Sequence, residues 1–135
     1  MISTRPLLQK KERLNSQKAI ETLFESGSRS LSSYPIRAVY RTVTAQDVPV
    51  SLLISVSKRH FKHAVDRNRI KRQLREAFRK NKNILWQIIE AEKDTDIPKV
   101  EAIHLALIWT SNTMLDSKIV EDKVRNLLLR ITERL

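Results

Sequence analysis

Residues 66–82, DRNRIKRQLREAFRKNK, constrain the fold of this 135-residue chain more than any other stretch. Eight of the seventeen residues are Lys or Arg, yet Ile70, Leu74, Ala77 and Phe78 recur at helical spacing. At about 100° per residue, these four side chains fall within an arc of roughly 100° around a helix. The sequence therefore predicts an amphipathic helix whose apolar side rests on a hydrophobic core.

The polar side of this helix is almost entirely cationic. Five neighbouring positions around the helical wheel form one flank: Asn68, Lys71, Arg72, Arg75 and Arg79. All of them except Asn68 are basic. Like charges at i, i+4 spacing cost a few tenths of a kcal/mol per pair, roughly, and bound phosphates would offset that repulsion. A solvated surface with carboxylates nearby is the alternative, but only Asp66 and Glu76 are available. Arg67 falls inside the apolar arc, and this position requires a partner.

The charge of the whole chain supports a polyanionic partner. The formal net charge is +11, from 26 Lys and Arg against 15 Asp and Glu. Residues 58–82 alone contribute eleven bases and two acids, whereas residues 83–135 carry more acids than bases. A basic surface concentrated on one element is typical of nucleic-acid binding.

Composition argues against several classes of protein. The absence of Cys excludes disulfide frameworks, thiolate nucleophiles and zinc–thiolate sites. No window has the roughly 20 apolar residues of a membrane helix, and the first residues lack the apolar run of a secretory signal. We therefore expect a cytoplasmic protein without a membrane partner. His60 and His63 lie among Lys and Arg, which disfavour a metal, so we expect neither a metal site nor catalytic residues in the chain.

Periodicity predicts the remaining elements. A helix is expected over 16–26, ahead of Gly27 as a left-handed cap, followed by a Ser-rich loop containing Pro35. Alternation predicts strands in IRAVYRTV and VSLLISVS, and the apolar run AIHLALIW predicts a strand covered on both faces. The basic helix should begin between Lys62 and Asp66, with Asp66 as a plausible cap, and NILWQIIEAEKD either continues it or forms a separate helix. SKIVEDKVRNLLLRITERL predicts a terminal helix.

These elements favour one fold class. Helices interleaved with strands predict an α/β two-layer sandwich with a small mixed sheet of about four strands and three or more helices. The whole chain, 1–135, is expected to form a single domain with residues 1–12 as a flexible basic tail; the family resemblance described next makes it an RNA-binding domain.

Two adjacent segments carry a family resemblance. ISVSKR at 54–59, followed by AVDRNRIKRQLREAFR at 64–79 with its Arg67-Asn68-Arg69 triplet, resembles the signature of the bacterial ribonuclease P protein component. The resemblance implies a left-handed strand–helix–strand crossover. It also implies a large catalytic RNA as partner, precursor tRNA as substrate, and Mg²⁺ bound mainly by that RNA, with the protein assisting removal of the 5′ leader.

The resemblance also assigns residues to two RNA contacts. Residues on and before the basic helix would contact the RNA subunit: Lys58, Arg59, Lys62, Arg67, Asn68, Arg69, Lys71, Arg72, Arg75 and Arg79. A cleft between the first helix and the sheet would hold the single-stranded leader, lined by Ile20, Phe24, Ala38 and Tyr40. Ile20 stands where the family often has an aromatic residue, which puts one stacking platform in doubt. Segment 83–100 has no assigned role.

Other functions remain open at the level of sequence. Residues 66–80 could serve as the recognition helix of a DNA-binding protein or as the RNA contact of a ribosomal structural protein. A metal-dependent nuclease acting alone is the third possibility. The ribonuclease P interpretation itself involves no DNA.

Overall fold

The computed structural model describes residues 10–44, 48–92 and 100–135. A short 3₁₀ helix at Lys10–Glu12 opens the described chain. The regular elements that follow are α1 (Gln17–Leu23), β1 (Arg29–Ser33), β2 (Ile36–Val43), β3 (Val50–Val56), α2 (Ala64–Asn81), α3 (Asn83–Glu92), β4 (Ala102–Trp109) and α4 (Ser117–Thr132).

The four strands form one mixed sheet in the order β1-β2-β4-β3. The β1/β2 and β2/β4 pairs are antiparallel, whereas β3 and β4 are parallel. Because parallel neighbours need a crossover, the chain passes through α2 and α3 between these two strands. The predicted α/β fold class is confirmed, and α3 is a helix separate from α2.

The main core lies on one face of the sheet, beneath α2, α3 and α4. Ile70, Leu74, Ala77 and Phe78 are all buried there, as their helical spacing predicts. The central strand β4 contributes alternate side chains to this core, among them Trp109. The apolar side of α2 is thus fixed against the sheet and α4, which determines where its basic residues can lie.

A smaller cluster covers part of the opposite face. Leu14 and Leu23 pack there against Val39 and Ala106, with α1 above the sheet. Ser16 caps α1, since its hydroxyl accepts a hydrogen bond from the main-chain N–H of Ala19 at 3.3 Å. Each face of the central strand is therefore covered over part of its length, as the unbroken apolar run of β4 predicts.

Several boundaries differ from the sequence-based expectations. Residues 29–33 form an edge strand and not a loop; only Leu31 of this strand is buried, so the sequence carries little apolar alternation there. Helix α1 ends at Leu23, and Gly27, with φ of 104°, lies in the turn that follows. His63, and not Asp66, is the N-cap of α2.

The N-terminal segment is tied to the core. Nζ of Lys82 lies 2.7 Å from Oε1 of Glu12, and both side chains are buried. The main-chain N–H of Leu14 donates to the carbonyl of Leu52 at 2.8 Å, which attaches the segment to the outer edge of β3. The prediction of a flexible tail is therefore wrong for residues 10–12; residues 1–9 lie outside the described chain.

Across the described ranges, no helix combines the length and the apolar composition that crossing a membrane requires.

Candidate nucleic-acid interface

Helix α2 buries its apolar side in the core, and basic side chains on its other side face solvent. Arg69 and Arg72 are exposed, and Lys71 and Arg75 are half-buried. Within the described ranges none of these four forms an ion pair with an acidic side chain. We call Arg69, Lys71, Arg72 and Arg75 the α2 basic flank. Asn68 beside them is also exposed.

Arg67 lies inside the apolar arc of α2, and its guanidinium finds hydrogen-bond partners on the main chain. Its Nη1 donates hydrogen bonds to the main-chain carbonyl oxygens of Phe61 and Lys62, at 2.8 Å and 2.9 Å. The partners are therefore carbonyl groups of the loop that precedes α2. This bracing fixes the entry of the chain into the helix, and it directs part of the guanidinium away from solvent.

Arg79 differs from the α2 basic flank because it is mostly buried and has an acidic partner. Its guanidinium forms a salt bridge with the carboxylate of Glu76, one turn earlier, and its side chain is only 12% exposed. The hydrogen bond that Arg79 donates to Glu76 raises the pKa of Arg79, against the opposing effect of burial. Arg79 therefore lies on the predicted flank with its charge compensated by Glu76, and its contact with RNA stays a prediction.

Arg13 lies beside the α2 basic flank, although no pattern in the sequence predicts this position. A cavity of about 730 Å³ is lined by Arg13, Arg69, Arg72, Arg75 and Arg79, together with Gln73, Glu76 and Ser117. Burial lowers the pKa of Arg75, and the charge of Arg13 nearby lowers it further. Arg13 reaches this place only through the pairing of its segment with β3, and no local pattern predicts that contact. The result is a concave basic surface, and not merely a charged helix face.

The loop between β3 and α2 carries the other predicted basic residues. Lys58, Arg59 and Lys62 are all exposed. The loop is held by local contacts, since Nδ1 of His60 lies 2.7 Å from Oδ1 of Asn112. These three cations are thus presented to solvent just ahead of the basic flank.

The predicted leader cleft is only partly assembled. Ile20 and Phe24 do lie on the α1 side of the sheet, where Phe24 is 51% exposed. Ala38 and Tyr40 belong instead to the main core on the opposite face, at 0% and 2% exposure. Their placement in the cleft is wrong because successive strand residues point to opposite faces. The apolar alternation of β2 already indicated that Ile36, Ala38 and Tyr40 form its core side.

The α1 side of the sheet offers other residues to a ligand. Leu53 and Ile108 are half-exposed on this face and pack against the smaller cluster. Arg37 pairs with Ile108 across the strands and is exposed. A groove of about 220 Å³ connects Leu53 with Arg13, Lys71 and Arg75. The basic flank and the α1 side of the sheet are thus linked at the edge of β3.

His104 lies on the same side of the sheet and not in the main core. It is half-buried, between Arg41 of β2 and Ser51 of β3 in the strand register. Burial lowers the pKa of its imidazole. The neutral ring is therefore favoured, and it lies beside the polar residues Arg41 and Ser51.

Comparison with known sequences gives consistent matches. The family model described as Ribonuclease P matches residues 8–132. A ribonuclease P protein component of Porphyromonas gingivalis is 36% identical over 125 residues, covering 92% of this chain and 85% of the relative. The corresponding protein of Chlorobium phaeobacteroides is 34% identical over 103 residues, covering 74% of this chain and 68% of the relative.

Comparison with solved structures gives the same fold. The RNase P protein from Thermotoga maritima superposes with a TM-score of 0.65 at 25% identity, covering 87% of this chain and 96% of that one. An RNase P protein of Staphylococcus aureus superposes with a TM-score of 0.58 at 19% identity, covering 90% of this chain and 94% of that one. The second match is a likeness of fold alone.

Proposed function

Because the chain belongs to the ribonuclease P protein family, whose function is 5′ maturation of tRNA, we propose that it works as a complex with a large catalytic RNA. In that complex it would assist endonucleolytic removal of the 5′ leader from precursor tRNA. The observation that carries this proposal is the basic cavity that Arg13 forms with the three arginines of the α2 basic flank.

The basic flank would contact the phosphate backbone of the RNA partner. Arg side chains bind phosphate through two parallel N–H groups, and four of the five cations formed by Arg13 and the α2 basic flank are Arg. The like charge of Arg13 beside Arg75 is unfavourable in the free protein. Bound phosphates would relieve that repulsion, so the surface is better suited to an RNA complex than to free solution.

The protein's part in the reaction is binding. Phosphodiester hydrolysis would be carried out by the RNA with its own bound Mg²⁺, which stabilises the attacking water and the leaving oxygen. The cations of the chain reduce phosphate repulsion between catalytic RNA and substrate. No side chain of the polypeptide is assigned a catalytic role.

The leader of the precursor would lie on the α1 side of the sheet. Phe24 supplies an exposed ring on which a base can stack, and Ile20, Leu53 and Ile108 extend an apolar surface beside it. Stacking on aromatic rings is tolerant of base identity, which suits a protein that accepts many leaders. Arg37 on the same face can contact the leader backbone.

A DNA-binding or ribosomal role is not favoured. Both would use the exposed side of α2, but neither accounts for a family match that spans nearly the whole chain. A cleavage assay separates the possibilities. The protein, freed of RNA, should not cut precursor tRNA, and it should stimulate the large RNA at low Mg²⁺. Cleavage by the protein alone, or no stimulation of the RNA, would contradict the proposal.

A further inference from the structure

We propose that the chain holds a second site for a phosphate group, at the end of the sheet where β2 ends and β4 begins. A cavity of about 360 Å³ opens there, lined by Arg29, Arg41 and Arg134 with Tyr40, Thr42 and Gly27. No residue of α2 contributes to it. The site is therefore separate from the basic flank described above.

Among the described residues, the charged side chains that line this cavity are all positive. Arg29 and Arg134 are exposed, and within the described ranges no ion pair joins any of the three arginines to a carboxylate. Val100 and Leu135 complete the lining, so no Asp or Glu side chain of the described residues lines the cavity. Three arginines that line one cavity, with no acid among its described lining residues, form an electrostatic environment that favours an anion.

One of these guanidinium groups is held in place before any ligand arrives. Nη1 of Arg41 donates to the carbonyl oxygen of Thr22 at 3.0 Å and to Oγ of Ser28 at 3.4 Å. Its Nη2 lies 3.5 Å from the position that a Cβ on Gly27 would occupy, and Gly27 has φ of 104°. The turn after α1 thus packs closely on Arg41. Because the side chain is already ordered, the entropic cost of binding a ligand is smaller.

The second, independent observation is the hydroxyl of Tyr40. Tyr40 is 2% exposed and pairs across the strands with Arg29. Its hydroxyl is buried and has no hydrogen-bond partner in the described part of the chain. Burying a hydroxyl without a partner is unfavourable, and a phenylalanine would fill the same core position without that loss. A ligand oxygen in the cavity would accept this hydrogen bond.

Phosphate is the anion that best fits this arrangement. Several guanidinium groups and one hydroxyl offer donors in different directions, which matches the several acceptor oxygens of a phosphate group. The phosphate could be part of an RNA backbone or free in solution. The RNA source rests on the proposed function, whereas free phosphate binding does not.

The test follows the protein by site-resolved NMR during titration with inorganic phosphate. We expect saturable shifts of the main-chain N–H groups of Thr42 and Val100. The double variant Arg29→Gln/Arg134→Gln should weaken this response by about tenfold or more, since two charged donors are lost. The control Lys118→Gln/Arg125→Gln, which removes two exposed charges on α4 that do not line the cavity, should leave it unchanged.

Tyr40→Phe tests the hydroxyl separately. Without phosphate, the thermal midpoint of this variant should equal or exceed that of the wild type, because no hydrogen bond is lost. With phosphate, the variant should gain less stability than the wild type. A lower midpoint in the absence of phosphate would contradict the assignment of an unpartnered hydroxyl.

RNA binding distinguishes the two sources. If the site holds a backbone phosphate, Arg29→Gln/Arg134→Gln should lower the salt dependence of RNA binding by about one to two log–log units relative to the control. If Thr42 responds to phosphate but the salt dependence of RNA binding is unchanged in the double variant, the ligand is free phosphate. If the salt dependence falls but Thr42 does not respond to phosphate, the ligand is the RNA backbone. The proposal fails if neither occurs, or if Arg29→Gln/Arg134→Gln binds phosphate as the wild type does. Loss of all RNA binding by the wild type would refute the proposed function but leave the phosphate titration as a valid test.

Discussion

Nζ of Lys82 lies 2.7 Å from Oε1 of Glu12, and each of these side chains is only 1% exposed, although 70 residues separate them in the chain. The ammonium also lies 4.4 Å from the centre of the Trp86 ring. This buried ion pair fixes the segment that carries Arg13 against the junction of α2 and α3. The geometry of the basic cavity therefore depends on a contact remote from it in sequence.

We predict that breaking this pair destabilises the protein and weakens RNA binding together. Glu12→Ala should lower the free energy of unfolding by about 3–5 kcal/mol, because it leaves the charge of Lys82 buried without its partner. Urea denaturation measures this change. Replacing both partners, as Glu12→Leu/Lys82→Met, should recover most of the loss.

A partly exposed ion pair between α2 and α4 provides the matched control. Nζ of Lys80 lies 3.9 Å from Oε1 of Glu121. Glu121→Ala should lower the free energy of unfolding by less than about 1 kcal/mol. Equal losses for Glu12→Ala and Glu121→Ala would show that burial of the Glu12–Lys82 pair has no energetic consequence.

The pairing of Arg79 with Glu76 predicts a gain of function. Glu76→Gln removes the acid that neutralises Arg79, so RNA affinity should rise and the log–log salt slope should steepen by up to about one unit. Fluorescence anisotropy over a range of salt concentrations measures both quantities. The control Glu133→Gln removes an exposed acid beyond the end of α4 and should have a smaller effect. Weaker RNA binding by Glu76→Gln would contradict this interpretation of Arg79.

Phe24 and Tyr40 should behave differently when each is replaced by Ala. Phe24→Ala should weaken binding of precursor tRNA by about 1–3 kcal/mol and leave mature tRNA binding unchanged, since only the precursor offers a leader base for stacking. Tyr40→Ala should lower the free energy of unfolding by about 3–5 kcal/mol, as for other aromatic truncations in a core. Equal losses of precursor and mature tRNA binding in Phe24→Ala would place the leader elsewhere.

His104 predicts a pH-dependent stability. Because burial lowers the pKa of His104 in the folded protein, the unfolded chain binds the proton more readily. Its contribution to stability is therefore full above the ordinary His pKa of about 6.5 and is lost as pH falls through the lower folded pKa.

The measurement for this prediction is the difference in unfolding free energy between pH 8 and pH 5. That difference should shrink in His104→Gln. It should persist in His63→Gln, which replaces an exposed histidine and retains His104. An unchanged difference in His104→Gln would assign the pH dependence to other groups.

The sequence predicts those features that depend on local periodicity. The buried side of α2 follows from the spacing of Ile70, Leu74 and Phe78, and the strand β2 has the bounds that its alternation indicates. The edge strand β1 is not predicted, because Leu31 is its only buried residue and its polar neighbours show no apolar alternation. Alternation alone also suffices to place Tyr40 in the core, and only its assignment to the leader cleft by family resemblance was misplaced.

The parts of the site that the sequence does not predict depend on tertiary contacts. Arg13 joins the basic cavity because its neighbour Leu14 hydrogen-bonds to Leu52 of β3. The Glu12–Lys82 pair joins two segments that no periodicity in the sequence relates to each other. Such contacts follow from the arrangement of the elements, which residue spacing within one element does not encode.

The central claim is that phosphates bind along the α2 basic flank, and the salt dependence of RNA binding tests it most directly. Replacing Arg69, Lys71, Arg72 and Arg75 together by Gln should flatten the log–log plot of affinity against salt by about three units, because up to four counterion releases are lost. Circular dichroism would verify that the variant keeps its fold. An unchanged slope in a folded variant would contradict the account.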